Sequence, residues 1–116
     1  MKIVIPLRLV SSPNLREHHM ARYKRSKKEK TEVGWALRAH QDRPSLPCRV
    51  TITRLGPRPF DRDNNVASMK ATQDAIAEWL GTDDSDPLIQ WVYAQRRAKE
   101  YAVIIEFGEF IDEGEK

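Results

Sequence analysis

Five apolar residues, Val66, Met69, Ile76, Trp79 and Leu80, recur at helical spacings between Asn64 and Leu80. A helix with one apolar side has to bury that side against another layer of structure. Gly81 is its natural stop, because glycine takes a left-handed C-terminal conformation at little steric cost. The segments around it read as strands. Upstream, Cys48-Arg49-Val50-Thr51-Ile52-Thr53-Arg54 alternates with period two and ends at Gly56-Pro57-Arg58-Pro59. Downstream, Ile89 to Gln95 and Tyr101 to Phe107 form two further runs, joined by the charged Arg96 to Glu100. A helix set between strands requires a sheet with helical cover.

The rest of the chain adds one strand and one helix. Lys2 to Val10 alternates and is rich in Ile, Val and Leu, with Pro6 as an interruption. Ser11-Ser12-Pro13-Asn14 is turn chemistry. Leu15 to His40 contains no proline and only Gly34, so it reads as a charged helix whose Val33, Trp35, Ala36 and Leu37 pack inward. Gln41 to Pro47 is a loop, Thr82 to Pro87 an acidic turn, and Asp112 to Lys116 a fraying tail. The order β-α-β-α-β-β predicts an α+β fold, a mixed sheet of about four strands with helices packed on it. At 116 residues the whole chain, 1–116, is expected to form one domain. No run approaches the roughly 18 apolar residues of a membrane span, and the opening Lys2–Leu7 is too short for a signal peptide. The single cysteine, Cys48, allows no internal disulfide and points to the cytoplasm, where it serves as a small buried hydrophobe.

Charge divides the chain. Residues 1–60 hold 14 Lys/Arg and 4 Asp/Glu, a net +10, and residues 61–116 hold 6 and 13, a net −7, giving +3 overall. The basic half, with Arg22, Lys24, Arg25, Lys27, Lys28 and Lys30 clustered, suits a polyanion. The acidic half would repel the same polyanion unless a cation sits among its carboxylates.

Two acidic segments flank the secure helix. Asp61 and Asp63 precede or open it, and carboxylates two apart on an extended approach point the same way. They could ligate a hard divalent cation such as magnesium, or they could cap the helix and favour its dipole. Asp83, Asp84 and Asp86 crowd the turn at its other end. If that turn folds back, one of its aspartates joins Asp61 and Asp63 in an oxygen-rich site able to activate water at a phosphodiester. Lys70, seven residues beyond Asp63, would lie two helical turns on along the same side; its competing role is an i, i+4 pair with Asp74. Asp61 to Asn65 begins like a calcium loop, but Val66 replaces the required glycine and Thr72 the required glutamate. His18 and His19 are adjacent and poorly spaced for a metal, and Trp35, Trp79, Trp91 and Phe107 fall in periodic segments as core residues.

The set Phe60-Asp61-Arg62-Asp63-Asn64-Asn65, Lys70, Asp74 to Gly81, Asp83-Asp84 and the strand through Trp91 resembles the RusA family of Holliday-junction resolvases, common in prophages. The resemblance covers residues 49–107 best. It implies a homodimer that binds four-way DNA junctions and makes paired nicks with magnesium in recombination and repair. On this analogy Asp61, Asp63 and Asp84 hold the metal, with Asp83 and Asp86 as alternatives, and Lys70 is the catalytic lysine. In the founding type the lysine comes sooner, at the position of Ala67 here. Arg22, Lys24, Arg25, Lys27, Lys28 and Lys30, with Arg54 and Arg58 beside the site, are expected to hold the DNA backbone. The competing expectation is a nucleic-acid-binding module without catalysis, which uses the basic segment 22–30 and keeps the aspartates as caps.

Overall fold

A computed structural model of the chain describes residues 1–10 and 19–111, with His19 described by its backbone alone. The turn expected at Ser11–Asn14, the helical start expected from Leu15, the side chains of His18 and His19 and the tail from Asp112 lie outside the described residues. The elements are β1 (Lys2–Ile5), α1 (His19–Arg38), β2 (Cys48–Gly56), α2 (Arg62–Ser68), α3 (Lys70–Trp79), β3 (Ile89–Arg97) and β4 (Ala102–Glu109). The four strands form one sheet in the order β1-β4-β2-β3. β2 runs parallel to β3 and antiparallel to β4, and β4 is antiparallel to β1. The expected mixed sheet with helices is therefore the fold found.

Strand alternation decides which residues meet the helices. Ile3, Ile105, Ile52 and Tyr93 lie side by side across the four strands, and Ile5, Val103, Arg54 and Gln95 form the neighbouring row. The aliphatic members of both rows are buried with Val33 and Leu37 of α1 and Ala75 and Ile76 of α3. α1 packs along α3. β1 ends its ladder at Ile5, yet the alternation runs on, and Leu7 and Leu9 are buried while Pro6 and Arg8 are exposed. Cys48 is buried, and that burial pushes its thiol pKa up. Among the described residues no helix is long and apolar enough to cross a membrane.

Two expectations need correction. The helix from Asn64 to Leu80 is two helices, broken at Met69 (φ −94°, ψ 2°). In an unbroken helix the Met69 N–H would donate to the Asn65 carbonyl. Here the Ser68 hydroxyl takes that carbonyl at 2.7 Å, and the Met69 N–H turns to Val66 at 3.1 Å. A serine that bonds back to its own helix competes in this way with the regular ladder. The second correction is Trp35, which is 69% exposed. Val33 and Leu37 are four apart and share a helix side; Trp35, two from each, projects from the other.

Met69 sits at the break and is fully buried, so the kink delivers a core side chain. Met69→Ala is expected to lower stability by about 2–5 kcal/mol, the usual range for truncating a buried methionine, read as a lower urea midpoint with unchanged slope.

Candidate active site

Asp61 is the N-cap of α2. Its Oδ1 accepts the Asn64 backbone N–H at 2.9 Å and its Oδ2 accepts the Asn64 side-chain amide at 2.9 Å. Arg62 is already helical and Asp63 lies in the first turn, so the extended geometry that aligns carboxylates two apart does not apply. Asp61, Arg62 and Asp63 are all exposed.

What fixes this segment is the residue before it. The Phe60 N–H donates to Gln95 Oε1 at 2.9 Å, and Gln95 Nε2 donates back to the Phe60 carbonyl at 2.7 Å. The Arg54 guanidinium lies over the Phe60 ring, 3.6 Å from its centroid. Arg54 and Gln95 are register partners on β2 and β3, so one row of the sheet holds both the ring and the backbone of Phe60. The buried Asn65 adds a bond from its amide to the Ala94 carbonyl at 3.2 Å. Arg54 was expected at the DNA surface, but it is 3% exposed, and burial lowers its pKa. It lies in the row of Ile5 and Val103, which turns it inward and makes it a support for Phe60.

The acidic turn was expected to reach the Asp61 segment; it folds back to the start of α3 and divides its aspartates between two tasks. Asp83 Oδ1 accepts the Ser85 N–H at 2.9 Å and the Ser85 hydroxyl at 2.5 Å. Asp86 accepts the Thr82 hydroxyl at 2.6 Å and the Leu88 N–H at 2.9 Å, which hold its carboxyl below the usual range. Both brace the turn. Asp84 instead reaches Lys70, the first residue of α3, whose ammonium also meets Asp74 at 3.1 Å. Of the two roles weighed for Lys70, the i, i+4 pair with Asp74 is present, and Asp84 joins it at the same ammonium. The bonds to Asp84 and Asp74 raise the Lys70 pKa, and the bond from Lys70 lowers that of Asp84.

β3 positions this half of the site as well. The Trp91 indole donates to the Asp84 carbonyl at 3.1 Å, and the Tyr93 hydroxyl donates to Gln73 of α3 at 3.0 Å. Burial pushes the Tyr93 pKa up. Neither Trp91, Tyr93 nor Gln95 was singled out as a site residue from sequence. Their period-two spacing on a strand that follows the acidic turn was the available signal.

Among the described residues, no group of three or more His, Cys, Asp or Glu side chains is placed to hold a metal ion. Asp61, Asp63 and Asp84 do not form the expected three-carboxylate centre in this arrangement. Magnesium is also held through one or two carboxylates with waters and phosphate oxygens. Asp61 is exposed, and each of its oxygens keeps a second lone pair beyond its bond to Asn64.

The basic segment lies on α1, where Arg22, Lys24, Lys27 and Lys28 are exposed and Arg25 and Lys30 are half-buried. Arg25 lies 3.9 Å from Glu29, and Lys30 donates to Glu78 of α3 at 2.7 Å. Arg58 is exposed on the loop before Phe60. A groove of about 880 Å³ runs between α1 and α3, and Lys70 is among its lining residues. A scan against protein-family models and searches of curated proteins and of solved structures returned no match.

Two outcomes follow from this geometry. Asp84→Asn removes the main cause of the raised Lys70 pKa, so the Lys70 ammonium should lose its proton at lower pH than in the wild type; lysine side-chain NMR titration measures it. Gln95→Leu leaves the Phe60 amide and carbonyl without their partners and should cost roughly 1–3 kcal/mol in chemical denaturation.

Proposed function

We propose that this protein is a magnesium-dependent endodeoxyribonuclease that cuts branched DNA, with four-way junctions as its substrate and a homodimer as its working form. The observation that carries the reading is the contact of Lys70 with Asp84. It joins the lysine that starts α3 to the acidic turn that follows that helix, and the lysine lines a groove with a basic wall. A lysine held there stabilises negative charge that develops on a phosphate during cleavage. Its two carboxylate partners keep it protonated while it does so.

Asp61 and Asp63 would hold the magnesium. Polarisation of the phosphodiester and activation of a water are the chemistry such an ion supplies when bound. Arg58, Lys24 and Lys28 would grip the DNA backbone without reading bases, so binding should weaken steeply with salt. A two-fold pair of subunits matches the near two-fold symmetry of a junction and sets one site on each of two strands.

The capping geometry of Asp61 favours a second reading, a nucleic-acid-binding module whose aspartates are structural. Asparagine caps a helix about as well as aspartate but supplies no charge to a cation. Asp61→Asn and Asp63→Asn should therefore keep their thermal midpoints yet lose at least about 100-fold of the magnesium-dependent nicking of a synthetic four-way junction, a barrier rise of roughly 2.7 kcal/mol. Cleavage at the wild-type rate in both variants, or no magnesium-dependent cleavage by the wild type, would replace the nuclease by the binding module.

A further inference from the structure

The groove between α1 and α3 has a composition that the nuclease reading does not by itself require. α1 contributes Tyr23, Lys27, Lys30 and Arg38, and the following loop contributes His40 and Arg43. α3 supplies Asp74, Glu78 and Lys70 to the opposite wall. Glu78 is matched by Lys30, and Asp74 and Asp84 share Lys70; Lys27, Arg38 and Arg43, the last donating to the Trp79 carbonyl at 3.0 Å, are the other cations of the lining. Gly34, Ala71 and Ala75 keep both walls low. A methyl group added at Gly34 would meet only the Arg38 guanidinium, at 3.7 Å. Tyr23 is 61% exposed, with its ring available for contact from solvent.

We infer that this groove binds a single strand of nucleic acid and leads its backbone to Lys70. The inference rests on the nuclease reading for the kind of polyanion, and on the groove for its form. The groove lies on the surface where α1 and α3 pack together, and its space of about 880 Å³ is that of a few nucleotides at most. A duplex can lie across the two helices but cannot enter between them. An unpaired strand can enter, and its recognition pairs a basic track for phosphates with an aromatic face for a base. Lys27, Arg38 and Arg43 supply the track and Tyr23 the face. A junction offers such nucleotides where base pairs open at its crossover, so the groove favours DNA whose strands separate near the cut.

The test measures binding without cleavage, in EDTA, by fluorescence anisotropy with a labelled oligothymidylate and a labelled duplex of equal length. The Lys27→Ala/Arg38→Ala pair removes two groove charges, and the Lys24→Ala/Lys28→Ala pair removes two from α1 outside the groove lining. The groove pair should weaken oligothymidylate binding about tenfold or more and flatten its log–log salt dependence by about 1.4, while duplex binding falls by less than about threefold. Tyr23→Ala should weaken oligothymidylate binding at every salt concentration without changing that slope. Equal losses from the two charge pairs, or equal losses for single strand and duplex, would overturn the inference and leave only a general positive surface. Circular dichroism of each variant excludes unfolding as the cause. The outcome is separate from that of the nuclease reading: junction cleavage can persist while the groove pair binds oligothymidylate normally, and groove binding can persist in a protein that never cuts.

Discussion

One side of β3 presents Trp91, Tyr93 and Gln95 in succession, and each is bonded to a different part of the candidate site. Trp91 holds the acidic turn, Tyr93 holds α3 near its start, and Gln95 holds the segment that leads into α2. Strand geometry alone sets these side chains on one side at regular intervals. The strand is fixed in turn by a ladder with β2 along its full length. The spacing between Asp61, Lys70 and Asp84 is thus inherited from the sheet. Three segments of the site share one rigid ruler.

The break at Met69 makes this arrangement possible. Ser68 diverts the Asn65 carbonyl, and the helix restarts with Lys70 as its first residue. An unbroken helix would have tied the direction of Lys70 to that of Asp63 through helical phase. With the break, Lys70 answers to Asp84 and Asp74. Met69 anchors the junction of the two helices in the core, so this local irregularity is backed by burial.

The fold was legible where periodicity carries it. The alternation of Cys48 to Arg54 and the apolar spacing of Val66, Ile76 and Trp79 marked β2 and the helices that follow it. The same alternation also held the correct answer for Arg54, which shares the inward parity of Val50 and Ile52; its charge argued for the surface and burial under Phe60 prevailed. Trp35 was misplaced for a similar reason, since its apolarity outweighed a helical phase opposite to Val33 and Leu37. Within the site, the order of elements allowed the acidic turn to fold back, but that it meets Lys70 did not follow from it. Nor did the choice of Asp84 over Asp83 and Asp86, because it depends on which carboxylates brace their own turn through Ser85 and Thr82. The Gln95–Phe60 clasp joins residues far apart in sequence and leaves no period to read.

The link between β3 and β4 carries a further consequence. The two strands are consecutive, yet β2 lies between them, and the Ala98 N–H bonds to Gly56 at the end of β2. The C-terminal strands therefore have no hairpin of their own to form. β3 gains its ladder only by meeting β2, across chain that includes α2 and α3, and β4 by meeting β2 across β3 or β1 from the far end of the chain. Folding of this half must close long loops before it gains any strand pairing, which places its rate with proteins dominated by non-local contacts. The site segments that hang on β3 become ordered only with the whole sheet, so assembly of the site and global folding are one cooperative event.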